Sequence, residues 1–114
     1  MVQIGCYMYD AEAEELTTYA SLLELTRPAL CALIIQRELR EPKLRPSVAK
    51  RDKVSAARGR RVTVNLGNVA LKDAFTAHVR ALGFGSDEAA AALFRQELAE
   101  RSLWYMFGLK LNRS

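Results

Sequence analysis

A chain of 114 residues, half of them apolar, has material for one compact domain or for two very small units that share a core. Its net charge of +4 is uneven: Arg40 to Arg61 carries nine Lys or Arg against two acids, a segment charge of +7, and the remainder sums to −3. Two cysteines in apolar stretches are too few for a zinc site by themselves, and no apolar run approaches the length of a membrane span. The first ten residues also lack the basic start and long apolar stretch of a signal peptide, so the expectation is a cytoplasmic protein with buried thiols and no membrane contact.

In chain order, "VQIGCYMY" alternates like a strand, and Asp10 stands where a helix cap is expected. Ala13, Leu16, Tyr19, Ala20 and Leu23 then form one helical stripe. A second helix is expected from "TRPALCALIIQREL", with Thr26 as N-cap and Pro28 in the first turn. Its "ALCALII" is apolar nearly all round and should be buried.

The segment "REPKLRPSVAKRDKVSAARGRR" holds two of the three prolines and no sustained period, so it reads as a connector. A solvated linker and a contact for a local anionic partner are both consistent with its charge.

After the connector the order returns: a strand "RVTVNL", a helix with Leu71, Phe75, Val79 and Leu82 on one side, a "GFGS" turn, and a helix in "DEAAAALFRQELAERSL". Aligning the halves sets Gln3 on Arg61 and Met8 on Leu66 at an offset of 58, then Leu25 on Phe84 and Leu39 on Leu98 at 59. One residue is thus inserted in the first helix or turn of the second copy. Element order and spacing preserved together make an internal repeat.

A single strand-helix-helix unit cannot bury its own apolar faces, and a lone strand leaves its backbone groups unpaired. The fold expected is therefore mainly α with a two-stranded antiparallel ribbon, in which two strand-helix-helix repeats share one core. Ile4, Cys6, Met8, Val62, Val64 and Leu66 would face inward, under the four helices. The outer face would carry Gln3, Gly5 and Tyr7 from one strand and Arg61, Thr63 and Asn65 from the other.

At these residues the chain resembles the ribbon-helix-helix DNA-binding proteins, similar to the Arc and methionine repressors, in which a two-stranded ribbon enters the major groove. "RVTVNL" followed by a helix, a Gly-containing turn and a second helix carries the likeness, and "ELTRPALCALIIQREL" matches the corresponding turn and helix of the first half. With both halves in one chain, the architecture resembles the TraY-type accessory proteins of conjugative plasmids. Residues 1–40 would form the first repeat, 41–60 the basic connector, 61–103 the second repeat and 104–114 an apolar tail.

The resemblance implies a pseudo-dimeric protein that binds double-stranded DNA as a repressor, another transcription regulator or a relaxosome component. The expected base-contacting residues are Gln3, Gly5, Tyr7, Arg61, Thr63 and Asn65. Arg can donate two bonds to guanine, Asn can pair donor and acceptor with adenine, and Thr offers a hydroxyl or a methyl group. Gly5 and Tyr7 depart from the polar triplet of the family. Two different triplets imply a non-palindromic site.

Phosphates are expected at the N-termini of the second helices, through Thr26, Arg27 and Ser86, and along the connector through Lys50, Arg51, Lys53, Arg58 and Arg60. Asp87 and Glu88 cap the last helix but repel phosphate. His78, the only histidine, lies on a helical stripe and reads as a structural residue. No metal spacing, nucleophile motif or phosphate-cradling loop is present, so no catalysis and no cofactor are expected. The apolar "LWYMFGLKLNRS" suits packing on the core, on a second copy, or on a relaxase-like or toxin-like protein. That last option sustains the alternative of an antitoxin-like or adaptor protein.

Overall fold

The computed structural model of the chain describes residues 2–44 and 59–105. The protein is mostly helical, with one two-stranded antiparallel sheet. Strand β1 (Gln3–Met8) leads into α1 (Asp10–Leu22) and α2 (Arg27–Arg40); β2 (Arg60–Asn65) leads into α3 (Val69–Ala81) and α4 (Ser86–Glu100). A fifth, one-turn helix follows at 102–105.

The strands pair with Gln3 opposite Asn65, Ile4 opposite Val64, Gly5 opposite Thr63, Cys6 opposite Val62, Tyr7 opposite Arg61 and Met8 opposite Arg60. Alternation does the rest: Ile4, Cys6, Met8, Val62 and Val64 are buried, and Leu66, just past β2, is buried with them. The Leu66 amide donates to the Val2 carbonyl at 3.0 Å, so backbone pairing runs beyond the strand ends.

The helices close over that inner face in a crossed manner. α2 packs chiefly against β2, and α4 packs against β1. Each half's second helix thus packs more on the other half's strand than on its own. The core stripe of α1 (Ala13, Leu16, Tyr19, Ala20, with Leu23 after it) and the pair Phe75 and Val79 of α3 join Leu30, Ile34, Ile35, Leu93 and Phe94 in one cluster.

The local starts and stops have specific causes. α1 is capped by Tyr9, not Asp10: the Tyr9 amide donates to Glu12 Oε1 at 3.0 Å, and Asp10 falls in the first turn, where its charge complements the helix dipole. Thr26 caps α2 by accepting from the Ala29 amide at 3.3 Å, and Asn68 caps α3 by accepting from the Ala70 amide at 2.8 Å. The α1–α2 and α3–α4 turns close alike, with Leu25 N–H donating to Ala20 O and Phe84 N–H to Val79 O, both at 2.9 Å. The left-handed residue is Glu24 (φ 61°) in one and Gly83 (φ 86°) in the other.

Element boundaries shift from the sequence expectation, mostly by one residue: β2 runs Arg60–Asn65, one residue early at both ends. The larger change is in α4, which does not run on to Leu103 but stops at Glu100, because Arg101 takes a left-handed conformation (φ 53°). The cause of that stop is Glu97, whose carboxylate accepts from Ser102 Oγ at 2.6 Å and from the Leu103 amide at 2.8 Å and folds the chain back over the helix end.

Candidate nucleic-acid interface

The ribbon's outer face brings the six expected base-reading residues onto one surface, in three cross-strand pairs: Gln3 with Asn65, Gly5 with Thr63 and Tyr7 with Arg61. Arg61 and Asn65 are exposed, and Gln3, Gly5, Tyr7 and Thr63 are half-buried. The Arg61 guanidinium lies along the ribbon. Its Nε donates to Thr63 Oγ1 at 3.3 Å, and its Cζ stands 5.9 Å from the centre of the Tyr7 ring. Asn65 Oδ1 accepts from the Gly67 amide at 2.9 Å, an Asx turn that ends the strand and leaves the Nδ2 donor for other contacts. Gly67 itself has φ 68°, the left-handed region in which glycine carries no Cβ penalty.

The expected phosphate-contacting residues divide three ways. Thr26 uses its hydroxyl as the α2 cap, and Arg27 Nη1 reaches Thr17 Oγ1 at 3.4 Å. Ser86 does not cap α4. Gly85 holds that position, its amide donating to Glu88 Oε1 at 3.4 Å, and Ser86 Oγ pairs with Thr76 Oγ1 at 3.1 Å. Arg60 is drawn to the acidic start of α1, 3.2 Å from Asp10 and 4.0 Å from Glu14. All three groups are well exposed, so these pairs hold Arg60 only weakly. Lys50, Arg51, Lys53 and Arg58 lie outside the described residues.

Beneath the ribbon, sequence reasoning missed two buried carboxylates. Glu97 of α4 accepts from the Tyr19 hydroxyl at 2.5 Å, pairs with Arg37 Nη1 at 2.9 Å, and holds Ser102 and Leu103 as described. Burial pushes its carboxyl up, but the bonds from Ser102, Tyr19, the Leu103 amide and Arg37 outweigh that and hold it below the usual carboxylate range. Tyr19 moves the opposite way, raised by burial and by donating to Glu97.

Glu38 of α2 is the other. It lies 2.7 Å from His78 Nε2 and accepts from the Lys43 and Leu44 amides at 2.8 and 3.3 Å. The signal was present in sequence, since a Glu stands on the buried side of both "IIQREL" and "LFRQEL". His78, partly exposed, thus has a buried carboxylate as its partner.

Among the described residues, no group of three or more His, Cys, Asp or Glu is placed to hold a metal ion. Burial raises the thiols of Cys6 to about 11 and Cys31 to about 12, which leaves both protonated at neutral pH. No single helix among the described residues is long and apolar enough to cross a membrane. Compared with family models, curated proteins and solved structures, the chain matches none of them.

Proposed function

We propose that the protein is a tandem ribbon-helix-helix DNA-binding protein that inserts its two-stranded ribbon into the major groove at a non-palindromic site. Its biological setting would be transcription regulation or plasmid transfer as a relaxosome accessory. The observation that carries the reading is the ribbon's outer face, where Arg61, Thr63 and Asn65 line one strand over the buried apolar residues Ile4, Cys6, Met8, Val62 and Val64. Side chains of these types on alternate positions of a ribbon suit the donor and acceptor pattern of base edges.

The tandem reading is supported by contacts at matched positions. At an offset of 59, Tyr19 corresponds to His78, Glu38 to Glu97 and Leu44 to Leu103. Tyr19 bonds Glu97 while His78 bonds Glu38, so each half sends a helix carboxylate to the first helix of the other. Thr17 with Arg27 and Thr76 with Ser86 make a further matched pair. On this reading the inserted residue falls between β2 and α3, in the turn that contains Gly67.

The test is duplex binding by fluorescence anisotropy over a salt series. Each phosphate contact adds about 0.9 to the slope of log affinity against log salt, and several contacts are expected from the basic segment and the start of α2. Affinity independent of salt removes the reading.

A second reading, an antitoxin-like or adaptor protein, rests on Trp104 and Tyr105, which are exposed (37% and 68%) at the start of the apolar stretch expected to meet a protein partner. A toxin or relaxase gene beside the coding sequence, or a small protein that co-purifies, would favour it.

A further inference from the structure

Of the six outward positions, Gly5 has no side chain with which to read a base, yet it stands at the centre of the face, opposite Thr63. A Cβ built there would lie 2.7 Å from Arg61 Nη2, 2.9 Å from Cζ and 3.1 Å from Nε. The guanidinium therefore occupies the space that any other residue at position 5 would fill. Thr63 takes its Nε–H and the Tyr7 ring flanks it.

We infer that Gly5 is a positioning residue, the seat on which the Arg61 guanidinium is laid flat, so that the ribbon offers one preset cation for a guanine in one half of its site. This rests on the DNA-binding reading above. Chemically the arrangement is apt. With Nε on Thr63, both Nη atoms lack a protein partner among the described residues, and they are the pair that can meet O6 and N7 of guanine together. A free arginine side chain must give up rotamer freedom on binding; one already fixed by three neighbours has lost part of it beforehand. The matched position in the other strand is Thr63, which cannot seat a cation in this way. Guanine selection by this device is therefore confined to one side.

Gly5→Ala isolates the effect, because the added methyl meets the end of a long, flexible side chain and leaves the ladder and every charge intact. Thr63→Val removes the acceptor of Nε and serves as the second variant. Selection from a random duplex pool, with wild type, Gly5→Ala, Thr63→Val and Arg61→Ala, reads the result, and thermal melts check folding. Wild type should prefer guanine at one position by about tenfold or more. Gly5→Ala should bring that preference close to unity with its salt slope unchanged, Thr63→Val should reduce it, and Arg61→Ala should abolish it and lower the slope.

The seat can also be seen without DNA: the Arg61 Nε–H resonance should exchange slowly with water in wild type and faster in Gly5→Ala. Undiminished guanine preference in Gly5→Ala, or an Nε–H that exchanges equally fast in both proteins, overturns the inference. A protected Nε–H in a wild type that shows no salt-dependent duplex binding instead overturns the DNA reading and leaves the seat standing.

Discussion

Glu97→Ala should be among the most destabilising single changes this chain can suffer. The carboxylate is fully buried and holds four donors: the Tyr19 hydroxyl, the Arg37 guanidinium, the Ser102 hydroxyl and the Leu103 amide. Truncation leaves Arg37, whose side chain is 12% exposed, as a nearly buried charge without its partner. Breaking such a pair from one side costs about 3–5 kcal/mol, a large share of a total stability on the order of 5–15 kcal/mol. His78→Ala should cost only about 1 kcal/mol, because Glu38 keeps the Lys43 and Leu44 amides and the imidazole is partly exposed. Equilibrium urea unfolding at constant m-value measures both.

The pH dependence has a definite sign. The folded Glu97 carboxyl titrates below its unfolded value, so its contribution is present above the unfolded pKa, about 4.3, and fades as pH falls through the folded one. The gap between wild type and Glu97→Gln should therefore narrow below about pH 4. A loss under 1 kcal/mol for Glu97→Ala, or a gap that widens in acid, would refute the argument.

Three further outcomes are expected. Asn65→Ala should relax base preference at one or two positions of one half-site, by roughly 1–3 kcal/mol, whereas Tyr7→Ala should weaken binding evenly across sequences; selection from a random pool compares them, and a palindromic consensus would count against the assignment. Gly67→Ala should cost about 1 kcal/mol by thermal melt, wholly from the left-handed backbone (φ 68°), since a Cβ there meets no atom within 4 Å; an unchanged melting temperature would show the turn can relax. Cys6 and Cys31 should resist alkylation in the native protein at pH 8 and react in denaturant, as mass spectrometry would report; rapid native labelling would contradict their burial.

The parts of the fold legible in sequence were those governed by periodicity. Period two in "VQIGCYMY" and "RVTVNL" assigned each strand residue to a face, and pairing needed only that lone strands cannot stay unpaired. What escaped was whatever depends on contacts between distant residues. Nothing local says that Glu97 will bend the chain at Arg101, or that α4 will cover β1 instead of β2. The caps at Tyr9 and Gly85 were missed for a related reason: a Glu three residues on can satisfy the first amide without help from a capping side chain. Asp10, the expected cap, serves the dipole instead, and Ser86, the first residue of α4, bonds Thr76.

On the tandem reading proposed above, the two faces of the ribbon also differ in how closely the halves agree. Inward, Ile4, Cys6 and Met8 answer Val62, Val64 and Leu66 with like for like, and the crossed carboxylates beneath them keep matching positions. Outward, Gln3, Gly5 and Tyr7 share no residue with Arg61, Thr63 and Asn65. Packing explains the first pattern, since a shared core penalises a change in either half. It does not require the second, because a polar sheet cover could be alike or unlike at little cost. Under the proposed function the divergence has a use. A symmetric ribbon is bound to a palindrome, whereas a ribbon made from one chain can carry different residues at one matched position. Gly5 and Thr63 are such a pair: in a dimer of identical strands, one position could not be both the glycine that makes room for the guanidinium and the threonine that accepts its Nε–H.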